Sequence, residues 1–288
     1  MHSSYRFLLA VGFMLSLSFS TQSASAADQF WVYVGTYTRG SDSQGIYQLL
    51  MDAKTGKLTP VKTTKNVDNP SFLAIHPNQK YLYAVNEIGD FQNQNAGAVS
   101  AFAIDAKTGE LKFLNQQSSK GAAPCHLVVD ATGKYVLVAN YSGGNISSLP
   151  IRKNGKLKES TSFVQHTGSS VNPARQKAPH AHSINLDKEN QHAIVADLGI
   201  DQLLVYQFDT EDGSLKPNTI PGIKLPPGAG PRHFAFHPTG KWGYVINELN
   251  RTITAMDYAA KNGSFQEIQT ISTVPEGTGA KGNSTAEV

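Results

Sequence analysis

Imidazole, guanidinium and carboxylate side chains return at matching places along this chain, and those places limit the chemistry open to it. Four stretches share one pattern: Pro70 to Asn86, Pro124 to Asn140, Ala181 to Asp197 and Pro231 to Asn247. Their second position holds Ser71, Cys125, His182 and Arg232, and their third holds Phe72, His126, Ser183 and His233. At the far end stand Asn86-Glu87, Asn140-Tyr141, Asp197 and Asn247-Glu248. Polar residues at equivalent spots of successive units are what a shared pocket needs. Other features carry less. His180 and His182 are two apart, so on a strand they would face one side and could ligate zinc. Neither a Cys partner nor a second His-rich motif completes such a site. Cys125 has no general base beside it in sequence and reads as a small core residue. His76 and His237 sit in His-Pro turns and read as structural. Tyr141-Ser-Gly-Gly144 is a turn with no following helix, so nucleotide binding has no support.

The elements that must position these residues are strands. Each of the four stretches reads as strand, tight turn, strand, with turns such as His-Pro-Asn-Gln and Asp-Ala-Thr-Gly. A second hairpin follows each: Gly97 to Leu111 is one, and Gly45 to Leu58, Gly144 to Leu157, Asp201 to Leu215 and Arg251 to Phe265 repeat it. Their turn glycines are Gly56, Gly109, Gly155, Gly213 and Gly263, separated by 53, 46, 58 and 50 residues. Glycine there suits a hairpin position that needs positive φ. Four strands in about 50 residues is the signature of a propeller blade, whose sheet is buried on both faces by its neighbours. A β-sandwich would not repeat its turn chemistry so regularly. The fold class expected is therefore all-β, a β-propeller with about five blades' worth of chain. The first strand of a propeller blade is innermost, so the polar positions should ring one mouth of the central channel.

The ends and the composition add bounds. Arg6, the apolar run Phe7 to Phe19 and Ala24-Ser25-Ala26 read as a secretory signal peptide over residues 1–26, with the propeller domain over 27–288. The apolar run is short of the ~20 residues a membrane span needs, so a periplasmic or secreted protein is expected, off the membrane once cleaved. A net charge of +3 with scattered Lys and Arg argues against nucleic acid as a partner. The single Cys125 excludes an internal disulfide and a Cys-rich zinc site. Phe30 to Tyr37 aligns with the second strand of the repeat, and Thr285 to Val288 resembles the opening of a further unit. The expectation is a ring that does not close and a domain incomplete at its C-terminus.

Several segments resemble the bacterial propeller-type 6-phosphogluconolactonases, also called the cycloisomerase 2 family and related to the fungal carboxymuconate-lactonising enzymes. They are Val34-Gly-Thr-Tyr-Thr38, Asn69-Pro-Ser-Phe-Leu-Ala74, Ala84-Val-Asn-Glu87, Pro124-Cys-His126, Ala139-Asn-Tyr141, Gly168 to Pro173, Pro179-His-Ala-His-Ser183, Pro226 to Pro238, Ile246-Asn-Glu-Leu249 and Gln269 to Thr273. The resemblance implies a seven-bladed propeller, of which about two blades lie beyond this sequence, and a hydrolase that opens a sugar lactone. It points to His182, Arg232 and Glu248 as active-site counterparts, with a further Arg outside this chain, and implies a site without metal or other cofactor. In that reading Arg232 stabilises the oxyanion, Glu248 takes the proton of the attacking water and His182 donates to the leaving alkoxide. Arg175 would hold a substrate anion, and His126, His180 and His233 would complete the binding surface. A leader peptide favours an unphosphorylated lactone over the 6-phosphate, since sugar phosphates are chiefly cytoplasmic. The alternatives are a non-catalytic propeller that binds a ligand or partner, a muconate-type cycloisomerase, and an Arg232–Glu248 pair that only ties blades together.

Overall fold

In the computed structural model of the chain, residues 28–277 and 283–288 are described. The signal peptide expected at 1–26 lies outside the described residues. The strands form five antiparallel sheets, in each of which neighbours in sequence are neighbours in space. The first sheet has three strands, β1 (Gln29–Val34), β2 (Gly45–Asp52) and β3 (Leu58–Lys65). The second holds β4 (Leu73–Ile75), β5 (Tyr81–Asn86), β6 (Ala98–Ile104) and β7 (Leu111–Ser118). The third holds β8 (Pro124–Val129), β9 (Tyr135–Asn140), β10 (Asn145–Pro150) and β11 (Ser162–Gln165). The fourth holds β12 (Ala181–Leu186), β13 (His192–Asp197), β14 (Gln202–Phe208) and β15 (Leu215–Lys224). The fifth holds β16 (Pro231–Phe236), β17 (Trp242–Asn247), β18 (Thr252–Ala259) and β19 (Ser264–Ser272). This is the blade arrangement that the repeat predicts, with β1 in the second-strand position of its unit.

The core lies between the sheets. Ile46 meets Leu82 and Phe102 between the first and second, and Tyr83 meets Leu127 and Val138 between the second and third. Leu137 meets Ile184 and Val195 between the third and fourth, and Ile194 meets Phe234 and Val245 between the fourth and fifth. Because the second, third and fourth blades are covered on both faces, β9 and β13 are buried at every residue, whereas β3 and β19, the outer strands of the first and fifth blades, are largely exposed. Runs such as Tyr-Val-Leu-Val-Ala-Asn thus lack the alternation of a one-sided strand.

The five turn glycines all have positive φ, between 69° and 79°. Four of them do more than turn the chain. A Cβ at Gly109 would lie 2.6 Å from the Trp31 ring, at Gly155 2.3 Å from Tyr81, at Gly213 2.3 Å from Tyr135 and at Gly263 2.8 Å from His192. An aromatic side chain near the start of one blade's second strand therefore rests on the hairpin glycine of the next blade. The tyrosine hydroxyls fasten the same seams: Tyr33 donates to the Gly109 carbonyl at 2.6 Å and Tyr83 to that of Gly155 at 3.0 Å.

One strand expectation needs correction. The third unit does not pass from its turn at Gly155 straight into an outer strand at Leu157. Leu157 makes only an isolated bridge to Ile151, and the outer strand begins at Ser162. The cause is a stronger claim from the neighbouring blade. Asn115 donates to the Leu157 carbonyl and accepts from its amide, both at 2.9 Å, and the Leu157 side chain is buried against the second blade.

Candidate active site

In an antiparallel hairpin the start of the first strand lies beside the end of the second, so the recurring polar positions meet at one end of the fold. Around that end is a cavity of about 380 Å³ lined by Tyr37, Ser71, Phe72, Glu87, Cys125, Tyr141, Arg175, His182, Arg232 and His233. Five of the expected features hold a common place there: His182, Arg232, Arg175 and His233 line it, and Glu248 stands behind the two arginines.

A repeated irregularity aims these side chains. In the third, fourth and fifth blades the register between the first two strands shifts at one residue: Cys125 between Pro124 and His126, His182 between Ala181 and Ser183, and Arg232 between Pro231 and His233. A β-bulge releases the extra residue from strict alternation. Consecutive residues such as Arg232 and His233 can then both face the cavity. The bulge also alters the reading of His180 and His182 as two ligands on one side. His180 precedes β12, stacks on Tyr141 with centroids 4.5 Å apart and places Nδ1 3.0 Å from the Tyr141 carbonyl. The His182 ring meets His233 at 5.3 Å and lies 3.8 Å, Nδ1 to Sγ, from Cys125. No three His, Cys, Asp or Glu side chains are grouped as a metal site among the described residues.

The charged groups are arranged in two unlike halves. Glu248, which directly follows β17, receives Arg175 Nη2 at 2.7 Å on one oxygen and Arg232 Nε at 3.2 Å on the other. Arg175 comes from the connection between the third and fourth blades, and its Nη2 also donates to the Tyr141 hydroxyl at 3.1 Å. Arg232 donates in addition to the Ala286 carbonyl. Arg232 and Glu248 belong to one blade, so their pair does not tie blades together; the Arg175 contact is the one that bridges. Across the cavity Glu87, directly after β5, accepts from Tyr37 at 2.8 Å and from Ser71 at 2.5 Å, both on Oε2. Burial raises the Tyr37 hydroxyl pKa, and the Glu87 carboxylate raises it further, so Tyr37 stays a donor.

Burial favours the neutral form of His126, His182 and His233. Burial, with Arg232 next, lowers His182 to about 3. Burial, with His233 and His182 next, holds His126 well below its usual value. His233 is lowered by burial and by Arg232 while the Glu287 carboxylate, 2.6 Å from its Nδ1, pulls the other way. His126 does not line the cavity: it packs on Phe72 at 4.2 Å and His233 at 5.2 Å, and its Nδ1 receives the Ile184 amide at 3.3 Å. It belongs to the floor. The Cys125 thiol, raised by burial and then by Glu87, donates to the His182 carbonyl at 3.3 Å.

The repeat placed Ser71 and Glu87 among the polar positions expected at the channel mouth but gave neither a role, and nothing in it pointed to Tyr37. A signal for Glu87 was present: Asn86-Glu87 repeats Asn247-Glu248 at the same place in the unit. The asparagines of these pairs serve the scaffold instead. Asn86 is fully buried and donates to the Asp68 carbonyl at 2.8 Å, and Asn247, buried likewise, donates to Thr252 at 2.9 Å.

Comparison with known proteins places this geometry. Residues 31–288 match the family model described as "Lactonase, 7-bladed beta-propeller". A 6-phosphogluconolactonase of Bacillus subtilis is 39% identical over 244 residues, covering 85% of this chain and 67% of the relative. One from Formosa agariphila is 35% identical, covering 82% and 65%. The solved structure of a periplasmic gluconolactonase from Pseudomonas aeruginosa superposes with a TM-score of 0.81 at 30% identity, covering 87% of this chain and 70% of that one. The chain thus spans about two thirds of the length of the curated relatives it matches.

Proposed function

The chain belongs to the family of seven-bladed lactonase β-propellers, and on that premise we propose that it hydrolyses a sugar lactone to the open acid in the cavity between Arg232 and Glu87. One observation carries this reading above the others: two guanidiniums are held at the cavity by a shared carboxylate, Glu248. A lactone carbonyl attacked by water becomes an oxyanion, and a preorganised guanidinium stabilises that charge without rearranging. Arg232, one-quarter exposed and fixed from two sides, is suited to that task. Arg175 extends the same surface towards the substrate's hydroxyl or anionic end.

Two roles expected from the resemblance change with the environment. Both oxygens of Glu248 are engaged by cations, which suits it to orienting the arginines rather than to taking a proton. His182 is neutral, so it serves as a hydrogen-bonding group beside the reacting centre and not as an imidazolium acid.

Among the described residues the two guanidiniums of the lining are balanced by Glu87 in the lining and Glu248 behind it, which leaves little net charge to attract a phosphate. This balance, the leader-like first 26 residues and the periplasmic gluconolactonase relative favour an exported enzyme acting on an unphosphorylated aldonolactone. The test is base consumption at constant pH, with gluconolactone and its 6-phosphate compared above spontaneous hydrolysis. Faster turnover of the unphosphorylated lactone is expected. Preference for the phosphate would overturn the substrate assignment. Turnover of neither lactone, with binding of one retained, would leave a non-catalytic propeller, and ring closure of muconate-type acids instead would make the protein a cycloisomerase.

A further inference from the structure

We propose that Glu87 is the group that takes the proton from the attacking water, an inference that rests on the lactonase reading of the same cavity. The site holds two carboxylates in opposite electrostatic situations. Glu248 is shared by Arg175 and Arg232, with N–O distances of 2.7 and 3.2 Å, and its side chain is 11% exposed. With a guanidinium on each of its oxygens, Glu248 has neither oxygen free to receive a proton from water. Glu87 meets no cation among the described residues. Its Oε2 accepts from two neutral hydroxyls, Tyr37 and Ser71, and its Oε1 carries no hydrogen bond to a described residue. The two hydroxyls fix the plane of the carboxylate and leave the second oxygen available in the cavity wall.

Placement supports the assignment. Glu87 and Glu248 occupy the same position in the second and fifth blades, so they approach the cavity from different sides. The oxyanion partner Arg232 lies on the fifth blade, and Cys125 lies between the two halves, its thiol influenced by both Glu87 and Arg232. A lactone carbonyl held with its oxygen towards Arg232 would present its carbon to a water on the Glu87 side.

The step balances without any further reactant. The water oxygen bonds to the carbonyl carbon while its proton passes to Glu87 Oε1, and the carbonyl π pair moves onto the oxygen beside Arg232. That pair then returns, the ring carbon–oxygen bond breaks, and the departing alkoxide takes the proton back from Glu87. The product is the hydroxy acid, which loses its carboxyl proton to solvent.

The experiment compares the full chain with Glu87→Gln, which keeps an oxygen for Tyr37 and Ser71, and Glu87→Ala, which empties the place. Hydrolysis of gluconolactone is followed in both, with and without added formate or nitrate. The expected results are a loss of kcat of about 100-fold or more in Glu87→Gln, with KM changed only slightly, and recovery of Glu87→Ala by formate but not by nitrate. Nitrate matches formate in charge and planarity but hardly accepts a proton. Near-normal kcat in Glu87→Gln, or equal rescue by nitrate, would overturn the assignment while leaving the lactonase reading in place. An inactive parent chain would overturn the lactonase reading itself and this assignment with it.

Discussion

At the scale of single residues, the site gives its two carboxylates different partners, guanidiniums for Glu248 and hydroxyls for Glu87. Arg175, Arg232 and Glu248 form one half, Glu87 with the hydroxyls of Tyr37 and Ser71 forms the other, and burial favours the neutral form of His126 and His182. The His182 pKa has a consequence that can be checked. Its folded value, lowered by burial and Arg232 to about 3, lies below the ordinary 6.5. The unfolded chain therefore binds more protons between those values, and His182 contributes stability that is lost as pH falls through that window. In the folded protein the His182 ring resonances should not move between pH 5 and pH 8 in an NMR titration. A titration near 6.5 would contradict the neutral role given to this residue. Which residue types gather at the site was legible in the sequence, because the repeat aligns Cys125, His182 and Arg232. Their protonation was not, since it depends on burial by other blades.

Elements explain why such residues can be aligned yet differently aimed. The hairpin glycines were readable from spacing alone, and all five have the positive φ that a tight turn demands. Their second task, seating the aromatic residue of the preceding blade, depends on contacts between residues 71 to 78 positions apart and leaves no local mark. Gly155 is the sharpest case: φ is 79°, and a Cβ would fall 2.3 Å from the Tyr81 ring. Gly155→Ala is expected to lower the melting temperature, with a cost of about 1–3 kcal/mol from backbone strain and overpacking. Gly56→Ala is the control, because its φ of 71° is similar but nothing lies within 4 Å of the added carbon. Equal losses in the two variants, measured by thermal denaturation, would show that the interblade seat contributes nothing. The bulges at Cys125, His182 and Arg232 were hidden for a different reason. The sequence shows alternation, and a bulge is a departure from it that only the pairing reveals.

For the molecule as a whole, stability and function run along the same radius. Inner strands of the third and fourth blades are sealed by blades on both sides, while the outer strands β3 and β19 face solvent. Hydrogen exchange should follow that gradient, with amides of β9 and β13 slowest and those of β3 and β19 faster. Uniform protection from centre to rim would be inconsistent with it. The radial plan was evident from the repeat period, since four strands in about 50 residues can bury both faces only by stacking sheets around an axis. What could not be read was the partnership of distant segments at the centre: Arg175 reaching Glu248 from the connection between the third and fourth blades, Tyr37 reaching Glu87, and Glu287 meeting His233. These pairs arise from packing in three dimensions, and residues 50 to 73 positions apart in sequence give no periodic sign of them. The central claim concerns the charge that this convergence delivers to a lactone carbonyl. It is tested most directly by the hydrolysis rate of gluconolactone, above the spontaneous background, in the parent chain and in Arg232→Ala with unchanged circular dichroism. The account predicts catalysed turnover that falls by about 100- to 1,000-fold in kcat in the variant. Turnover that survives the loss of Arg232 would contradict it.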